Sequence, residues 1–424
     1  MAFDVVLREV RISTVPDRLV DIGILNGRIA AIGPLLSGAT RIESLDGALV
    51  VPGFVETHIH LDKSCIIDRC SIVEGTLKEA IAETARAKRF FTEEDIVERA
   101  RRTLEKAIAG GTMHMRTHVE VDPRIGLKGF RAVRQLAQDF AWAIDLEICV
   151  FPQEGLLNDP GTEELLVEAC SNGAGLIGGC PYADTQPIEH IARIFAIARR
   201  FDLDIDFHLD FDLDASWTHV DEVMRQTRAA GYGGRIAVGH ATKLSAVPSQ
   251  RQIEIARQLA DVGVAVTVLP ATDLFLMGRD ADYNVPRGVT RADRLAQHGV
   301  TCSLASNNIL NAFTPFGDGS LLRIANLYAN IAQLGRREDF ERCFDMITGS
   351  AARLMKLTDY GLAIGNPADL VVLPCRDPAA AVMELAQPLM GFKRGRKSFV
   401  RPPTMLLGPD DRPSEGGGSK GSSE

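Results

Sequence analysis

Two histidines, His58 and His60, stand at the end of the apolar run Leu49-Val50-Val51-Pro52-Gly53-Phe54-Val55-Glu56-Thr57. In a β-strand, residues two apart face the same side, so both imidazoles leave the strand together and can bind one divalent metal ion. The pair alone decides little, because polar alternation on a solvent-facing strand produces the same spacing. Three more histidines close apolar, strand-like runs: His118 in Met115-Arg116-Thr117-His118-Val119, His208 in Ile205-Asp206-Phe207-His208-Leu209, and His240 in Ile236-Ala237-Val238-Gly239-His240. Four strand-end sites with one chemistry imply a metallohydrolase that acts through metal-activated water.

Side chains at strand ends converge only if the strands share a sheet, and the middle of the chain supplies one. Apolar segments at 54–60, 112–119, 146–151, 176–181, 204–210, 235–241, 265–270 and 301–306 alternate with amphipathic helical stretches such as 93–109, 188–201, 217–230 and 251–260. Eight β/α units of this kind predict an α/β fold, a (β/α)8 TIM barrel with its active site at the C-terminal ends of the strands. The histidines fall at those ends. Short β-type segments at 4–12, 19–25, 28–32 and 41–45, with Asn26-Gly27 as a hairpin turn, recur late at 368–373, 389–392 and 397–400. The two ends are expected to form one small β-sandwich. The division is therefore 1–52 for the first part of the sandwich, 53–355 for the barrel, 356–408 for the second part of the sandwich and 409–424 for a Gly/Ser-rich disordered tail.

At 424 residues and 46% hydrophobic content, the chain can bury a large core and exceeds one ordinary domain. No apolar stretch reaches the roughly 18 residues of a membrane span, and the start Met1-Ala2-Phe3-Asp4 lacks a basic and apolar signal pattern, so a soluble cytoplasmic protein without a membrane partner is expected. The net charge is −9 and the basic residues are dispersed, except in Lys393-Arg394-Gly395-Arg396-Lys397, which reads as a solvated hairpin. Nucleic acid is excluded as a partner on that ground. Eight cysteines without CxxC spacing read as buried thiols in a reducing compartment.

Several longer motifs, His58-Ile59-His60-Leu61-Asp62-Lys63, Arg116-Thr117-His118-Val119, Phe151-Pro152-Gln153-Glu154-Gly155, Gly239-His240-Ala241-Thr242 and Pro286-Arg287-Gly288-Val289-Thr290-Arg291, carry a resemblance over nearly the whole chain. They resemble the amidohydrolase superfamily, within it the branch of cytosine deaminase and N-isopropylammelide amidohydrolase. The resemblance implies metal ligands at His58, His60 and His208, with His240 as the catalytic group beside the water. It matches Gln153 to a glutamine on the substrate's amide edge and Lys63 to a lysine that holds a polar ring substituent. No lysine ends the fourth strand, Gly178-Gly179-Cys180-Pro181-Tyr182, which favours one divalent ion, zinc before iron or manganese, over a lysine-bridged pair. A small-molecule substrate and a homo-oligomer are also implied.

Two positions depart from the family pattern. After the eighth strand the family has a metal-binding, proton-shuttling aspartate, whereas this chain reads Ala305-Ser306-Asn307-Asn308 and sets Asn307 at the metal and catalytic position. A neutral amide is a poor ligand and practically no base. Asn307 is then an inactivating replacement, a natural feature of a divergent enzyme, or the mark of a protein that binds without turnover. Cytosine deaminases carry a proton-moving glutamate three residues after the fifth-strand histidine, where Phe211 stands here; Asp210 could take its place only if the strand stays regular. Phe211 would instead offer the substrate an apolar face. Asp273 and Arg287 lie on stretches that border the substrate in relatives, and Arg287 could pair with an anionic substrate or with a carboxylate of the protein. Asp62 is expected to orient His60 or Lys63. His118 reads equally as a pocket histidine or as barrel filling, and His114, His190, His219 and His298 as structural. The function expected is hydrolysis of a C–N bond in a small N-heterocycle or cyclic amide, by deamination or by ring opening, with a non-catalytic ligand-binding relative as the other class.

Overall fold

A computed structural model describes residues 2–14, 18–402 and 404–406. The N-terminal strands β1 (Phe3–Val10), β2 (Val20–Leu25), β3 (Arg28–Gly33) and β4 (Ala39–Ser44) form a sheet in the order β3-β2-β1-β4. Strand β5 (Leu49–Pro52) leaves this sheet and leads directly into the barrel. Gly53 makes that step possible, because a β-carbon there would lie 2.5 Å from the Met113 sulfur.

Eight parallel strands follow: β6 (Phe54–Ile59), β7 (Thr112–Glu120), β8 (Asp145–Phe151), β9 (Leu176–Gly179), β10 (Asp204–Leu209), β11 (Ile236–His240), β12 (Val264–Val268) and β13 (Cys302–Leu304), each bonded to the next. Closure between β6 and β13 runs through Asn307, whose N–H donates to the His58 carbonyl and whose carbonyl accepts from the His60 N–H, both at 2.9 Å. A hydroxyl contact between Thr57 and Ser303 at 2.8 Å supports the same seam. The barrel is therefore sealed by backbone bonds of His58, His60 and Asn307.

The helices between strands form for local reasons. Glu93–Ala109 starts at Thr92, whose side chain accepts from the Asp95 N–H, and three acidic residues in its first turn offset the positive helix end. Its Ile96, Ala100, Leu104, Ala107 and Ile108 recur at helical spacing and are buried. Each large apolar side chain so buried contributes about 1.5–3 kcal/mol.

The chain then returns to the N-terminal region through β14 (Leu370–Leu373), β15 (Met390–Lys393) and β16 (Arg396–Val400), which with β5 form a sheet in the order β16-β15-β14-β5. Leu7, Ile22, Ile24, Ile29, Val50, Leu370, Val372 and Phe392 pack into one core between this sheet and the first, which is the expected sandwich. The basic stretch 393–397 is the β15–β16 hairpin, but it is not wholly solvated. Lys393 is buried and donates to Asp145 at 2.7 Å and Asp369 at 2.6 Å, an ion-pair cluster at the foot of the barrel. The expected tail at 409–424 lies outside the described residues. All eight cysteines are free, and among the described residues no helix is long and apolar enough to cross a membrane.

Candidate active site

His58 and His60 emerge from the end of β6, and His208 reaches toward both from β10. The His208 Nε2 atom lies 3.1 Å from Nε2 of His58 and 3.1 Å from Nε2 of His60. Three nitrogens bound to one tetrahedral ion at 2.0–2.1 Å would be separated by about 3.3 Å. The two separations made by His208 fit a shared ion. Burial pushes all three imidazoles well below the ordinary histidine range; for His58 and His208 the surrounding histidines add to it, and for His60 Lys63 does so first. They are neutral and have lone pairs to give.

His118 is buried in the same cluster, and one of its nitrogens lies within 4.8 Å of nitrogens of His58 and His208. Its ring, however, lies flat on His58, with centroids 3.7 Å apart and 21° between planes. Lone pairs lie in the ring planes, and two near-parallel planes 3.7 Å apart do not bring them together on one ion, so the trio with His60 is the better donor set. Beneath these rings Asp206 accepts from Arg116 at 2.8 Å, and its other oxygen faces His118 at 3.6 Å and His58 at 3.9 Å.

His240 ends β11, and its Nδ1 lies 2.6 Å from Asp273 Oδ1. An ionised carboxylate only accepts, so Nδ1 carries the proton and Nε2 presents a lone pair. Asp273 is thus not the substrate contact expected of it. Its second oxygen faces the Leu269 N–H at 3.4 Å, and the side chain is fully enclosed. Burial raises the Asp273 carboxyl above its usual range, against the opposing pull of His240. Phe211 covers the other side of His240, with ring centroids 3.8 Å apart.

Left-handed backbone at the strand ends aims these groups. Asp210, His240, Ala241 and Asn307 all have positive φ, at 50°, 68°, 47° and 59°, at a cost of order 1–3 kcal/mol each. At Asp210 the turn breaks the regular alternation, and its carboxylate accepts from the His219 and Val220 N–H groups at 2.9 and 3.1 Å. Asp210 caps the helix Val220–Ala230 and cannot stand in for the glutamate absent at Phe211. Asn307 is 1% exposed, and neither its side-chain oxygen nor its nitrogen has a hydrogen-bond partner. An orphaned buried amide beside three histidines is what a bound ion or its water would satisfy.

On the far wall, the Lys63 ammonium donates to Glu120 at 2.7 Å and to Gln153 Oε1 at 2.8 Å, so the two expected substrate contacts are joined. Asp62 serves Lys63 rather than His60: it accepts from the Lys63 and Glu120 N–H groups at 2.9 and 2.8 Å. Arg287 is not in the site. It is exposed and donates to the Ile331 carbonyl at 2.7 Å, near the C-terminal end of the outer helix Leu321–Ala332, where unpaired carbonyls attract a cation.

Sequence reasoning missed four buried groups. Glu120 and Asp122 continue the two-residue period from His118, and Glu56 precedes His58 at the same spacing, so alternation alone could have found them. Glu56 accepts from the Ser306 N–H at 3.1 Å, and burial raises its carboxyl to about 7. Lys88 carries no such signal.

Gly239 sits where a β-carbon would lie 3.1 Å from His58 Cε1 and 3.2 Å from its Nδ1. Gly239→Ala is expected to tilt His58 and weaken metal affinity by about 10- to 100-fold, the range seen when a ligand loses its support. Competition with a chromophoric chelator measures this, and an unchanged affinity would show that His58 has room to yield.

The amidohydrolase family model matches residues 41–144 and 147–396. N-isopropylammelide isopropyl amidohydrolase of Pseudomonas sp. (strain ADP) is 28% identical over 404 residues, covering 93% of this chain and 96% of that one. Pterin deaminase of Rhizobium rhizogenes is 27% identical over 366 residues, covering 84% and 82%. The crystal structure of 5-methylcytosine deaminase from Klebsiella pneumoniae with 5-fluorocytosine superposes with a TM-score of 0.91 at 28% identity, covering 96% of this chain and all of that one.

Proposed function

The chain belongs to the amidohydrolase family, and from that premise we propose that it removes an exocyclic amine or alkylamine from a small N-heterocycle, using one divalent ion held by His58, His60 and His208. The relatives it resembles are named as an isopropylammelide amidohydrolase, a pterin deaminase and a 5-methylcytosine deaminase, all acting on C–N bonds of small heterocycles. The observation that carries the reading is the placement of the base His240, oriented by Asp273, beside three convergent imidazoles.

The ion supplies Lewis acidity when bound, lowering the pKa of water from 15.7 towards about 7. The chain's own groups account for the rest. His240 accepts a proton at Nε2 and returns it to the leaving nitrogen, while Asp273 holds the ring in the required tautomer and stabilises its charged form. Phe211 fixes the plane of His240 and keeps water from that side. Lys63 has one N–H beyond the two it gives to Glu120 and Gln153, and this donor with the Gln153 amide holds the polar edge of the ring. Asn307 offers a neutral oxygen to the ion or its water, in place of a base. Zinc suits a set of imidazole donors, with iron or manganese as alternatives. The catalytic role falls to residues 53–355, with 1–52 and 356–408 as the sandwich, in a cytoplasmic homo-oligomer whose mass light scattering would give.

Elemental analysis of the purified protein comes first, followed by a panel of 5-methylcytosine, pterin and N-isopropylammelide scored for free ammonia or alkylamine. About one equivalent of metal with amine release is expected. A second reading, opening of a cyclic amide ring, draws on Phe211, since no carboxylate stands there to move a proton to the ring. It is separated by turnover without amine release. Neither metal nor turnover would leave a ligand-binding protein.

Asn307→Asp would add an anionic ligand at a buried position whose backbone bonds to His58 and His60. The variant is expected to retain its ion at least about tenfold longer against EDTA. Equal retention in both proteins would place side chain 307 out of the ion's reach.

A further inference from the structure

We infer that Lys88 is a positioning residue that sets Lys63 and Gln153 through Glu120 and Glu154. The inference rests on the reading above, in which those two side chains meet the substrate. Lys88 lies on the short turn Lys88–Phe90 and is 2% exposed. Its ammonium donates to Glu120 Oε2 at 2.7 Å, to Asp122 at 2.5 Å and to both Glu154 oxygens at 2.7 Å. The other Glu120 oxygen accepts from Lys63, and Lys63 donates onward to Gln153, the chain neighbour of Glu154. Two arms therefore run from one ammonium to the pocket, one through the Glu120 carboxylate and one along the backbone from 154 to 153.

Three carboxylates this close repel one another unless a cation stands between them. Glu120, Asp122 and Glu154 present oxygens within 4.8 Å of one another, spacing that would suit a metal ion, and the Lys88 ammonium fills the space between them. Arg124 adds charge at the rim, 3.8 Å from Asp122 and 4.0 Å from Glu154. Burial pushes Glu120 up, yet Lys63 and Lys88 together hold it at about 2. Without Lys88, Glu120 is repelled by Asp122 and Glu154 and swings away from them, so that Lys63 loses its ion pair there and with it the placement that holds it against Gln153. Lys63 otherwise leans on the Phe313 ring, 4.4 Å from its centroid.

The test uses Lys88→Met and the double variant Lys88→Met/Glu154→Gln, which removes one uncompensated charge so that the fold persists. Reductive methylation with formaldehyde and borohydride is followed lysine by lysine by mass spectrometry. Lys63 is expected to react at least about tenfold faster in the double variant, since a displaced amine is no longer held in ion pairs. Lys393, buried at the other end of the barrel, should be unchanged. Acceleration of both lysines in the single variant means general unfolding, and the double variant then decides. An unchanged Lys63 rate in the folded double variant overturns the inference. On a substrate from the panel, KM should rise about 10- to 100-fold with kcat nearly constant; a fall in kcat alone also overturns it. Faster methylation of Lys63 beside a wild-type protein inert on every substrate would count against the proposed function and leave the role of Lys88 standing.

Discussion

His208→Ala is expected to leave the purified protein nearly free of metal and to reduce turnover by at least about 10³-fold, because water is no longer activated near neutrality. His208 is the shared member of the trio, 3.1 Å from each of the other two Nε2 atoms, so no pair of remaining donors bridges the barrel. His58 and His60 would be left on one strand, facing β10 across the gap. The ring also stacks on Phe151, with centroids 4.4 Å apart, so its removal costs about 1–3 kcal/mol of stability in addition. Metal analysis, turnover and a thermal melt separate these effects. A variant with full metal content would sink the assignment of His208 as a ligand, whatever its activity.

Asp273→Asn is the second large effect. The carboxylate lies 2.6 Å from His240 Nδ1 and is entirely enclosed, so an amide of the same shape preserves packing while removing the charge. An asparagine can present its NH2 group to Nδ1 and so drive the proton to Nε2, the tautomer that cannot accept a proton from water. The expected loss in kcat is on the order of 10²- to 10⁴-fold. Metal content should not change, since Asp273 touches His240 and not the trio. Normal kcat in this variant would remove His240 as the base; loss of metal would show that the pair also braces the ion site. His208→Ala and Asp273→Asn thus fail in different ways, one through the ion and one through the proton.

The eight barrel strands were legible to within about two residues, because alternation and apolar runs are local properties of the chain. His58, His60 and His208 could be named as candidates through strand-end placement for each and family resemblance for the set, and the fold brings their rings together. Legibility stopped where a partner is chosen across the barrel. Asp273 reads in sequence as one more polar residue bordering a ligand, but the closed barrel brings it under His240, 33 residues away. Arg287 reads equally as a partner for an anionic substrate or for a carboxylate of the protein, but the folded chain leaves it exposed and ties it to the Ile331 carbonyl. Asp210 reads as a neighbour of His208 on one face, but a positive φ turns it into a helix cap.

The amino-acid sequence alone determined the architecture and the kind of chemistry, since each depends on residue type and short-range period, while Asn307 stood out only against the family's pattern. Tertiary structure decided which histidine nitrogens approach one another, that Asp273 lies against His240, and that Lys88 stands between three acids. The physical reason is that hydrogen bonds and buried charges act over about 3 Å in space. Strand closure, not sequence distance, decides which groups come that near.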